Sequence, residues 1–172
     1  MTSASQAGAR SIGIAARADH WSALSAFLAA AIFLMLALMP AAAKMRHETL
    51  RVKTATAEHH FKIEVAVDEE DKRRGLMFRR SVPALTGMLF PYDAPEEVTM
   101  WMQNTYVSLD MIFIRADGVI HRIAKRTEPL SERIIASEGA VTAVLEIAAG
   151  EADRLGISPG DRVVHPHFTE KR

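Results

Sequence analysis

Polar and apolar positions alternate with period two through residues 61–67, FKIEVAV. With its β-branched content, this run reads as a half-buried strand. Asp68 follows where a helix N-cap belongs. Glu69, Glu70 and Asp71 fill the first turn, where they suit the helix dipole, and Gly75 ends a short helix. Gly87 to Phe90 is a short apolar run that Pro91 should stop, and Asp93-Ala94-Pro95 reads as a turn. Residues 98–102 alternate again, with Val98, Met100 and Met102 on one face and Thr99 and Trp101 on the other. Residues 109–115 are apolar on both faces and predict a central strand. Asp117-Gly118 supplies a tight turn into a partner strand over 119–125. Residues 140–148 form a further strand by β-branching, 150–156 carry one helical turn, and 162–165 close the domain as a last strand. Upstream, 44–57 is polar and weakly patterned, a tether with an edge strand near 49–53. Six or seven short strands with frequent Gly and Pro punctuation predict a mainly β fold, a compact β-sandwich or partly closed barrel with one or two short helices.

The N-terminus breaks this pattern. Residues 21–39 carry no charge, Arg10 and Arg17 precede them, and Pro40 and Ala41-Ala42-Ala43 follow. A basic start, an apolar stretch and small residues at a cleavage site make 1–43 a secretory signal peptide. The run of nineteen residues is also long enough to serve as an uncleaved anchor. Both readings put a single β domain, residues 58–168, outside the cytoplasm, in the periplasm or secreted. Membrane contact is then expected only through residues 21–39 of an uncleaved anchor.

Composition narrows the partners. The chain has 21 Lys+Arg and 21 Asp+Glu; setting aside Arg10, Arg17 and Asp19 leaves 19 and 20 beyond residue 43. A neutral balance offers no electrostatic footprint for nucleic acid. The chain has no cysteine, which excludes disulfides, thiolate metal sites and cysteine nucleophiles. It also lacks H-E-x-x-H, G-x-S-x-G and phosphate-loop motifs.

Four blocks occur in order and at close spacing: Arg74-Gly75-Leu76-Met77-Phe78-Arg79, Gly87-Met88-Leu89-Phe90, Trp101-Met102-x-Asn104-Thr105 and Leu109-Asp110-x-x-Phe113-Ile114. Together with Val144-Leu145-Glu146 and Gly156-Ile157-x-Pro159-Gly160-Asp161 they resemble the domain-of-unknown-function 192 family. The resemblance implies a compact, mainly β domain, usually exported in bacteria, and implies no activity. Gln103 stands where many relatives carry Lys, and Tyr106-Val107-Ser108 where Pro commonly precedes the Leu-Asp pair.

Three constellations carry candidate chemistry. Trp101, Asn104, Thr105 and Asp110, with Arg74 in support, form a candidate ligand face for a small molecule, glycan or peptide fragment stacked on the indole. Asp110 lies in an otherwise apolar strand, so it needs donors and reads equally as a structural clamp. Met100 and Met102, with Met77, are thioethers suited to Cu(I), the one cofactor the sequence offers; the same residues read as core filling. Trp101 is expected to point away from both. Asp110 and Glu146 form a candidate carboxylate pair for a cell-envelope hydrolase, whose reaction depends on their separation. The leading expectation is a non-enzymatic binding or accessory module that needs no cofactor.

Overall fold

The computed structural model describes residues 45–168. The leader or anchor read from 1–43 lies outside the described residues. The elements run β1 (Arg46–Lys53), β2 (Glu58–Val65), α1 (Glu69–Arg74), β3 (Thr86–Met100), β4 (Leu109–Ile114), β5 (Ile120–Ala124), β6 (Ile135–Ala148), α2 (Glu151–Leu155) and β7 (Arg162–Val164), then a 3-10 turn at Pro166–Phe168. The strands form one sheet in the order β5-β4-β6-β3-β2-β1-β7. Every neighbouring pair is antiparallel except β2 and β3. A bridge between Val119 and Arg162 links the β5 end to β7, so the sheet is a nearly closed barrel. Of the two expected architectures, the barrel is the one formed.

Closure follows from the side-chain pattern. Leu50, Phe61, Leu89, Ile112, Ile120, Leu145 and Val163, one from each strand, are buried in a single interior cluster. Ala152 and Ile157 of α2 and its exit loop, and Phe168, complete it. A second cluster lies on the outer face of β3, β4 and β6, where Met88, Phe90, Met111, Phe113 and Val144 are covered by Leu76, Val98 and Met102. The strand β4 is therefore buried at all six positions, which is why both of its faces are apolar.

The stretch read as a tether with an edge strand is β1, an eight-residue strand paired on both sides, by β2 and β7. Its Leu50 and Val52 are fully buried. The Asp117-Gly118 turn forms as expected. Gly118 has φ +78°, and a Cβ there would stand 2.6 Å from the Val163 carbonyl oxygen, so glycine is required by both torsion and space.

Pro91 does not stop its strand. It pairs with Ala143 inside β3, which continues to Met100. The ladder is nonetheless lost directly after Pro91 and resumes at Glu96, because proline has no N–H to give to the next rung. Asp93-Ala94-Pro95 is thus a bulge in a bent strand rather than a turn between strands. A second irregularity between Glu97 and Thr99 is matched on β6 by Ser137, whose hydroxyl accepts the Val98 N–H at 3.0 Å and donates to the Gly139 carbonyl at 2.6 Å.

Candidate functional site

One groove lies beside the bend in β3. It has a volume of about 520 Å³ and runs between α1, which contributes Glu69, Lys72 and Arg73, and the bulge, which contributes Tyr92, Asp93 and Glu96. Phe90, Met100 and Trp101 also line it. The helix is held as the sequence predicts. Asp68 caps it by accepting the Asp71 N–H at 2.8 Å, and Gly75 ends it with φ +46°. Tyr92 donates its hydroxyl toward the Met100 sulfur at 3.9 Å, and the Lys72 ammonium lies 5.2 Å from the Tyr92 ring centroid. Burial, with the carboxylates of Glu146, Glu96 and Glu69 adding to it, pushes the Tyr92 phenol up to about 12. At neutral pH Tyr92 is a neutral donor. Trp101 is 53% exposed at the rim. The groove thus presents aromatic faces beside charged groups of both signs.

Trp101 and Met100 share this groove although strict alternation separates them. β3 ends at Met100, so Trp101 and Met102 already belong to the following loop and the two-residue period no longer applies to them.

The residues expected around Trp101 are dispersed. Arg74 lies across α1 in a cavity of about 240 Å³ with Met45, Met77, Phe78 and Arg79. Asn104 takes a left-handed backbone at φ +54°; its carbonyl accepts the Phe78 N–H at 2.9 Å and its amide points to the Met77 sulfur at 4.0 Å. Thr105 is buried and donates its hydroxyl to the Gln103 carbonyl at 3.2 Å. Asp110 is fully buried; its two carboxylate oxygens accept the N–H of Arg126 at 2.8 Å and of Ala152 at 3.0 Å. Those bonds tie β4 to the exit of β5 and to the first turn of α2. Asp110 is the clamp.

The three thioethers have three different settings. Met77 meets Asn104, Met100 meets Tyr92 in the groove, and Met102 is fully buried and accepts the Thr127 hydroxyl at 3.1 Å. The two carboxylates of the hydrolase reading face opposite ways. Asp110 sits between Leu109 and Met111, both in the outer cluster, so its own side chain points to the α2 side. Glu146 alternates with Leu145 and Ile147, both interior, so it lies on the outer face. A sheet separates them.

Glu146 itself is unusual. Its register partners are Met88 on β3 and Met111 on β4, and it is 4% exposed. Burial raises its carboxyl to about 8, opposed by the positive charge of Arg79. Arg79 is committed elsewhere: its two terminal nitrogens fork onto the two oxygens of Glu64, each at 2.6 Å. That pairing holds the Glu64 carboxyl below its ordinary value. Glu146 is therefore protonated at neutral pH, an acid among thioethers. Glu69, Lys72, Tyr92 and Glu96 were not expected at the site. The alternation of Phe90 and Tyr92 across Pro91 was the signal for them, hidden by reading Pro91 as a stop.

No curated protein matches the chain. Among solved structures, it is similar to a candidate transcription regulator from Sinorhizobium meliloti 1021, with 42% identity and a TM-score of 0.71, over 74% of this chain and 99% of that one. It is also similar to a protein of unknown function from Novosphingobium aromaticivorans DSM 12444, with 35% identity and a TM-score of 0.69, over 73% of this chain and 90% of that one. The model of one family, DUF192, described as uncharacterized ACR, matches residues 50–165, which span six of the seven strands in full and the second half of β1; the chain belongs to that family.

Proposed function

We propose that the protein is an exported, non-enzymatic binding module that seats a glycan fragment in the groove between α1 and the bend of β3. The observation that carries this reading is the half-exposed Trp101 at the rim of a 520 Å³ groove that also holds Tyr92 and the side chains of Arg73, Asp93 and Glu96. A sugar ring offers an apolar face for an indole and hydroxyls for charged groups at its edge, the division of labour this lining provides. Export is supported by the leader pattern of residues 1–43. The near-neutral count of 19 basic and 20 acidic residues beyond residue 43 gives a role on DNA, as in the description of the S. meliloti relative, no electrostatic support.

With Trp21 removed alongside the leader, Trp101 is the only tryptophan of residues 44–172. Its fluorescence is titrated with neutral and amino-sugar oligomers, then with short peptides, and binding by Tyr92→Ala and Trp101→Ala is measured calorimetrically. Saturable binding of a sugar oligomer, lost in both variants with the fold intact, is expected. Binding of peptides alone, or sugar binding that survives both substitutions, refutes the glycan reading.

A further inference from the structure

A second cavity, of about 300 Å³, lies between the first three strands and the segment that follows α1. It shares no lining residue with the groove. Strand pairing builds its floor. His47 of β1 stands opposite Glu64 of β2, and Lys62 of β2 stands opposite Thr86 of β3. Lys62 and Glu64 are two residues apart, so they share a face of the sheet. Leu76, Val82 and Pro83 supply an apolar wall. The Thr86 hydroxyl donates to the Pro83 carbonyl at 2.7 Å and holds that wall on the floor.

The donors of this cavity are only partly used. Arg79 gives one N–H from each terminal nitrogen to Glu64, both at 2.6 Å. A guanidinium carries five N–H groups, so three of them have no acceptor among the described residues. The fork fixes the plane of the guanidinium and leaves those donors oriented in advance. Lys62 takes part in none of the ion pairs among the described residues. His47 adds a ring with at least one N–H to give.

The charges do not balance. Glu64 is the one carboxylate in the lining, and Arg79 occupies both of its oxygens. The carboxylates of the surroundings are engaged or neutral. Glu151 accepts the Leu85 N–H at 3.2 Å and is paired with Arg154. Asp71 shares its own cavity with Arg74, and Glu146 is protonated. The positive charge of Lys62 is left over, beside an apolar wall. One surplus charge matches a monoanion. A phosphate dianion would bring excess negative charge next to Glu64 and would leave the wall unused. The volume is at the small end of ligand sites and fits a compact molecule.

We infer that this cavity is a second ligand site, for a small monocarboxylate with an apolar body. Lys62 and the spare N–H groups of Arg79 hold the carboxylate, and Leu76, Val82 and Pro83 cover the body. The site is independent of the glycan groove.

The test is calorimetric titration of residues 44–172 at neutral pH with benzoate and with hexanoate. That unit folds on its own, since the S. meliloti relative is a separate chain matched over 99% of its length by 74% of this one. Benzyl alcohol, a ring without the charge, and inorganic phosphate, charge without the body, are titrated in parallel. Saturable binding of at least one carboxylate is expected, with a Kd below about 5 mM and about tenfold or more tighter than either control. Lys62 is exposed, so Lys62→Gln should keep the urea unfolding midpoint of the parent. The same variant should weaken carboxylate binding by about tenfold or more, the loss expected for one charge-assisted hydrogen bond. Three results overturn the proposal: neither carboxylate binding below about 5 mM, a control binding within tenfold of the carboxylate, or Lys62→Gln weakening it by less than tenfold.

Discussion

Glu146 offers a quantitative test of the packing account. Its carboxyl ionises near 4.5 in an unfolded chain and near 8 in the fold. The folded protein thus binds this proton more tightly than the unfolded chain, so stability is fully present below about pH 4.5 and is lost as pH rises toward 8. At 1.36 kcal/mol per pH unit, keeping Glu146 protonated at pH 7 costs about 3 kcal/mol, and the loss levels off on the order of 5 kcal/mol above pH 8. Glu146→Gln keeps the shape of the protonated side chain and cannot ionise. The assay is urea unfolding of parent and variant at about pH 5, 7 and 9, with the difference taken at each pH. Glu64 and His165, which the fold also shifts, titrate in both proteins and drop out of the difference. The variant should match the parent within about 1 kcal/mol at pH 5 and exceed it by about 3 kcal/mol at pH 7. A gap that does not change with pH, or a variant less stable than the parent at pH 9, would refute the assignment of a buried protonated acid.

Other substitutions test separate parts of the structure. Asp110→Ala strands the buried N–H of Ala152 and the partly buried N–H of Arg126 and should cost about 2–4 kcal/mol in chemical unfolding, with little change in any binding at the groove. Thr142→Val removes a buried hydroxyl that has no hydrogen-bond partner, so thermal unfolding should show stabilisation of about 1 kcal/mol. Gly118→Ala places a Cβ against the Val163 carbonyl at a left-handed torsion and should lower stability by more than about 2 kcal/mol, read as a shift of the urea midpoint. Trp101→Ala, at an exposed rim, should change stability by less than about 0.5 kcal/mol while removing the ligand response.

The groove and the clamp show how two neighbouring family blocks divide their labour. Trp101 and Asp110 are nine residues apart, and both stand out from their surroundings in the sequence. Asp110 is occupied by two backbone donors, so its chemistry is spent on joining α2 and β5 to β4. Trp101 is half-exposed at the groove rim, which is what makes it a candidate for the proposed ligand contact. Burial, more than residue type, separates the two roles.

Local chemistry alone determined much of this protein. The helix at Glu69–Arg74 follows from Asp68 and Gly75 acting within one turn, and the Asp117-Gly118 hairpin from a torsion that only a few residues accept. The central position of β4 was legible because both its faces are apolar. What the sequence left open depends on contacts between distant segments. β1 looked like a tether because its buried residues, Leu50 and Val52, are two in a polar stretch; β2 and β7 on either side make it a strand. The choice of barrel over sandwich rests on the Val119–Arg162 bridge, which joins residues far apart in the chain. Pro91 removes a donor wherever it stands, but whether that ends a strand or bends one was decided by β6, long enough to resume pairing at Glu96. The faces of Asp110 and Glu146 follow from strand register, and with them the separation that no spacing along the chain reveals. Sequence determines what each residue prefers over a few neighbours; the tertiary structure decides which distant partner satisfies it, and here that selection placed the groove, the clamp and the buried acid.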